Sequence, residues 1–121
     1  MIIDPKELRL MALDLGKIGY VPIFGEMNDQ LEEIVIECIL KLRSDNKKNA
    51  TLLINSGGGF IISFAAMKTA MLESGVTYKG FVMGQACSAA FNLLQQCDER
   101  LAVRDARLMF HWGWQRIGNQ E

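Results

Sequence analysis

One local pattern recurs along this chain and constrains its fold more than any other feature: a short β-branched or aromatic run, then a stretch with helical spacing. The first copy is Gly19-Tyr20-Val21-Pro22-Ile23-Phe24, followed by Gly25 to Asp29 and a helix that Asn28 is suited to cap. In that helix, predicted through Arg43, Leu31, Ile34, Val35, Cys38, Ile39 and Leu42 form an apolar stripe at i, i+3, i+4 spacing; Lys41, Arg43 and the polar run Ser44 to Asn49 close it. The pattern returns as residues 51–55 with 60–74 and as 76–83 with 88–97, before strands near 100–104 and 107–111. Repeated right-handed βα turns lay strands side by side in parallel and place helices against the sheet. The expected fold class is therefore α/β, a spiral of βα units with helices packed outside the sheet. Pro22 is tolerated if its strand lies at an edge. Met67, Met71, Met83 and Met109 are expected to fill the core. Residues Met1 to Lys17 fit none of these units, and Asp4-Pro5 and Gly16 predict loops there.

Length and composition fit one domain spanning 1–121, with 1–17 a variable segment and 18–116 the core. The 121 residues are 50% hydrophobic, enough to bury a single core. A formal net charge of −1, with acids and bases interspersed, gives no footprint for nucleic acid or an anionic membrane surface. No window approaches the roughly 20 apolar residues of a spanning helix, and Met1 to Pro5 does not begin a signal peptide. The three cysteines, Cys38, Cys87 and Cys97, lack Cys-x-x-Cys spacing. They read as reduced thiols of a cytoplasmic compartment, with neither a disulfide frame nor a zinc site implied.

The chemistry concentrates in three segments. Val76 to Met83 reads as a strand, Gly84 as a turn, and Ser88 in Gln85-Ala86-Cys87-Ser88-Ala89-Ala90 opens the next helix among small residues. A serine there suits nucleophilic attack, with the first-turn N–H groups facing developing negative charge; a plain N-cap role is the alternative. Cys87 is the competing nucleophile, disfavoured because its side chain leaves the turn in another direction. Upstream, Gly57-Gly58-Gly59 follows the apolar run Ala50 to Asn55 and exposes backbone amides. The loop lacks the Lys-Ser/Thr ending of a P-loop and the spacing of a dinucleotide site. Downstream, Ala106 to Phe110 leads to His111, the one histidine in the chain, next to Trp112. A hydrogen-bonded structural histidine is the alternative to a general base.

Taken in order, Ile54-Asn55-Ser56-Gly57-Gly58-Gly59, Met83 to Phe91, and Arg107-Leu108-Met109-Phe110-His111 resemble the ClpP family, the proteolytic subunits of Clp proteases. The resemblance covers roughly Val21 to Arg116. It implies a serine-type endopeptidase in which Ser88 attacks, His111 moves the proton, and the N–H groups of Gly59 and Ala89 hold the oxyanion. It further implies no cofactor and no metal, an unfolded polypeptide substrate, a homo-oligomeric, heptameric ring, and an AAA+ unfoldase of the ClpX or ClpA type as feeder. Gly57 stands where the family has proline, which should loosen the loop.

In the family, an aspartate beyond a helix-plus-strand handle completes the triad, and the sequence given stops at Glu121. The sequence is therefore expected to be either a fragment or a C-terminally shortened variant whose histidine is oriented by another group. Asp98, Asp105 and Glu121 are the nearby carboxylates, the first two in turn-like contexts. Two other functions fit part of the pattern: a non-catalytic ring subunit, and a crotonase-type acyl-CoA enzyme, which shares the spiral and the paired amide donors but needs no Ser/His pair.

Overall fold

The computed structural model of the chain describes residues 5–110. Five strands, β1 (Tyr20–Phe24), β2 (Asn49–Ser56), β3 (Thr77–Cys87), β4 (Glu99–Ala102) and β5 (Arg107–Met109), alternate with four helices, α1 (Pro5–Lys17), α2 (Asp29–Ser44), α3 (Ile61–Glu73) and α4 (Ala89–Leu94). Every strand pair is parallel. The order is β1-β2-β3-β4, and β5 also joins β3. With β2 on one edge of β3, β4 pairs along Lys79–Val82 and β5 along Gln85–Cys87 of the other. The α/β arrangement of parallel strands and packed helices is as expected.

Alternation along the strands sets the core. Val21, Ile23, Leu52, Ile54 and Val82 point to the buried face and meet the α2 stripe of Ile34, Val35, Cys38, Ile39 and Leu42, with Met67 and Met71 of α3. Each fully buried Leu or Ile contributes about 1.5–3 kcal/mol relative to exposure. Asn28 caps α2 as predicted, its Oδ1 accepting the Leu31 N–H at 3.0 Å. Pro22 lies mid-strand in β1, an edge strand paired only with β2.

Four expectations need correction. The amino-terminal segment is not a loop from Pro5 onward: Pro5–Lys17 is helical. Pro5 at the first helical position loses nothing by lacking an N–H, and helix formers follow it. Ala12 is small enough for α2 to approach, so the Cys38 thiol donates to the Ala12 carbonyl, while Arg9 pairs with Glu37 through two hydrogen bonds. Met67 and Met71 fill the core, but Met83 and Met109 are each 45% exposed. Met83 follows buried Val82, so the strand period turns it to the uncovered face, and β5 is exposed throughout. The third strand does not end at Met83, nor does Gly84 make a turn, since β3 runs to Cys87. Finally, α4 stops at Leu94 and spans six residues.

The three cysteines are free and buried. Burial pushes the Cys38 thiol up to about 11 and the Cys97 thiol up to about 12. Both are therefore unreactive packing groups near neutral pH.

Candidate active site

Between β2 and β3 the register jumps: Ile54 pairs with Val82, but Ser56 pairs with Ala86, so two steps on β2 match four on β3. The extra residues bulge outward. Asn55 fills the bulge, its Oδ1 accepting the Gln85 N–H at 3.2 Å. A Cβ on Gly84 would lie 2.6 Å from that oxygen, so Gly84 provides room for an amide side chain where a turn was expected. The bulge redirects the end of β3 into the corner at Ser88.

Ser88 turns that corner with φ 57 and ψ −124, one of two non-glycine residues at positive φ among the described residues. This conformation is strained for a side chain and aims it out of a sharp strand-to-helix turn. The simple capping role is not realised, because the Ser88 side chain makes no capping hydrogen bond. Its carbonyl accepts from Asn92, its N–H donates to the Met109 carbonyl at 2.9 Å, and β5 is thereby held beside the corner. Cys87 is buried, with its sulfur on Gln85 Oε1 at 3.5 Å.

The glycine loop meets this corner from the other side. A Cβ on Gly58 would lie 2.7 Å from the Cys87 carbonyl and 2.9 Å from Ser88 Cβ, so only glycine permits the contact. Gly58 also has φ +98, in the region that favours glycine. Met27 fixes the loop: its N–H donates to the Gly58 carbonyl and its carbonyl accepts from Phe60, both at 2.9 Å. In such a parallel bridge the residue between, Gly59, turns its own N–H away from Met27. Among the described residues neither the Gly59 nor the Ala89 N–H has an acceptor. With α4 only six residues long, the Ala89 amide matters as a single donor and the helix dipole adds little. An open groove of ≈ 650 Å³ borders the loop, lined by Phe24, Glu26, Asn55, Gly57, Gly58 and Gln85.

His111 lies outside the described residues. Phe110, which precedes it, stacks obliquely on Phe91 of α4 with ring centroids 5.7 Å apart. Asp98 does not approach Ser88. Its carboxylate accepts the Tyr78 N–H at 2.9 Å at the start of β3, about 30 Å from the end of that strand.

A family model described as Clp protease matches residues 10–121. The chain belongs to the Clp protease family. Among solved structures, a ClpP1 mutant from Listeria monocytogenes superposes with a TM-score of 0.77 at 26% identity, covering 84% of this chain and 60% of that one. This Clp protease chain thus spans about three fifths of the length of that relative. The sequence alone did not single out Ser56, Asn55 or Gly84 as site-building residues. Their signal is the polar pair Asn55-Ser56 ending an otherwise apolar strand just before three glycines.

Gly57, like Gly59, is exposed, whereas Gly58 is buried. A Cβ there would meet only Gln85 Nε2, at 3.7 Å, and its N–H has no acceptor among the described residues. Gly57→Pro should therefore fit and stabilise the protein by about 0.4–1 kcal/mol by restricting the unfolded chain. Chemical denaturation checks this; a lower midpoint at unchanged slope would show that the loop cannot accept proline.

Proposed function

We propose that this chain is a serine-type endopeptidase that cleaves peptide bonds through an acyl-enzyme. The observation that carries the proposal is Ser88 held at positive φ on a strand-to-helix corner, uncapped and against Gly58. Ser88 Oγ attacks the carbonyl carbon of the scissile bond as His111 takes its proton. The negative charge that moves to the carbonyl oxygen is met by the Gly59 and Ala89 N–H groups, and His111 returns the proton to the leaving amine. Water then hydrolyses the ester by the same route. Removing one such amide donor costs about 10²–10³ in turnover, so the two N–H groups are as important as the base. Activity should fall as acid protonates His111, because the imidazolium cannot accept the serine proton.

Family membership supports the wider setting: unfolded polypeptide as substrate, a homo-oligomeric ring, an AAA+ unfoldase feeding its chamber, and a cytoplasmic location. Among the described residues no helix is long and apolar enough to cross a membrane. The direct test is labelling with a fluorophosphonate and mapping the adduct by peptide mass spectrometry. Modification at Ser88 is expected; a protein that stays unlabelled while folded is not a serine hydrolase, and an adduct elsewhere displaces Ser88.

A further inference from the structure

We infer that Ser56 is the positioning residue of the oxyanion loop, an inference that rests on the peptidase reading above. Ser56 is 1% exposed, and its hydroxyl both donates and accepts a hydrogen bond. It donates to the Gly25 carbonyl at 2.6 Å and accepts the Gly58 N–H at 3.1 Å. Around it, three backbone bonds join the same two segments: Gly25 N–H to the Asn55 carbonyl, Met27 N–H to the Gly58 carbonyl, and Phe60 N–H to the Met27 carbonyl. Of these four links, only that of Ser56 depends on a side chain.

The position of this link in the loop gives it its effect. Gly57, Gly58 and Gly59 have no Cβ atoms to restrict the backbone, and the peptide unit between Gly57 and Gly58 can rotate unless something holds its N–H. The Ser56 hydroxyl holds that N–H. Rotation of the unit would shift the next amide, that of Gly59, and disturb the approach of Gly58 to the Ser88 corner, which leaves no room for even one added methyl. Ser56 meets no substrate atom; it fixes where a donor stands, and a misplacement near 1 Å can cost about a hundredfold in rate.

The test compares Ser56→Ala with the parent in three measurements. Turnover of a fluorogenic peptide and the fluorophosphonate rate at Ser88 should both drop by about ten- to a hundredfold, with KM changed by less than about threefold. Amide exchange at Gly58 should quicken by at least tenfold, read by NMR on the folded protein. Adding Gly57→Pro to Ser56→Ala should recover part of the lost rate. A merely structural serine would lower thermal stability and leave kcat and the labelling rate as they were, and that outcome overturns the inference while the peptidase reading stands. A parent that takes no label at Ser88 removes the peptidase reading and the positioning role with it. Unchanged Gly58 exchange in Ser56→Ala overturns the inference whatever the activity.

Discussion

Ser88→Ala is expected to reduce peptide hydrolysis by about 10⁶-fold and to abolish fluorophosphonate labelling, leaving the fold intact. The companion substitution Ser88→Gly should be equally inactive yet more stable than the parent by about 1 kcal/mol. The reason is the backbone: at φ 57 and ψ −124 a side chain is strained by about 1–3 kcal/mol, and glycine relieves this against an entropic cost of about 0.5–1 kcal/mol. Activity and stability therefore oppose one another at a single position. Thermal unfolding and progress curves on the two variants read both effects. Persistent hydrolysis in Ser88→Ala would remove Ser88 as nucleophile, and its loss in Cys87→Ala instead would transfer the role to Cys87. Equal or lower stability in Ser88→Gly would mean that the corner is not strained.

Gly58→Ala should be strongly damaging, because its added methyl meets the Ser88 corner itself. The added Cβ would lie 2.7 Å from a backbone carbonyl and 2.9 Å from Ser88 Cβ, at φ +98. Strain and clash together should cost about 2–4 kcal/mol and remove activity from whatever remains folded. Gly75→Ala is the control, because Gly75 also has positive φ, +74, but nothing stands within 4 Å of its added methyl. It should lose about 1 kcal/mol and keep full activity. Differential scanning calorimetry and peptidase assays on the pair separate the two causes; similar losses in both variants would mean that contact with the Ser88 corner is unimportant. Gly59 is equally confined, since its Cβ would lie 2.4 Å from the Met27 carbonyl. Gly59→Val should thus impair folding as well as turnover, more than its amide role alone suggests.

What the sequence determined is the set of elements and the chemistry-bearing residues, because both are local properties. Alternation and 3.6-residue spacing are written in consecutive side chains, so the β1-α2, β2-α3 and β3-α4 units were legible, as was the Asn28 cap. Ser88 and the glycine triplet stood out because small residues at a strand end have few other uses. The exposure of Met83 and Met109 is not legible in the sequence, because composition carries no information about which sheet face is covered. The helix at Pro5–Lys17 is not legible locally because proline and glycine suggest breaks, whereas a proline in the first turn is neutral and α2 supplies the packing surface. Tertiary structure alone decided how the site is built. The four-for-two register between β3 and β2, the Asn55 side chain over Gly84, and the Ser56 hydroxyl between Gly25 and Gly58 all join residues distant along the chain. Such links exist only once parallel strands are in register, because each needs a donor and an acceptor delivered from separate βα units to within 3.5 Å.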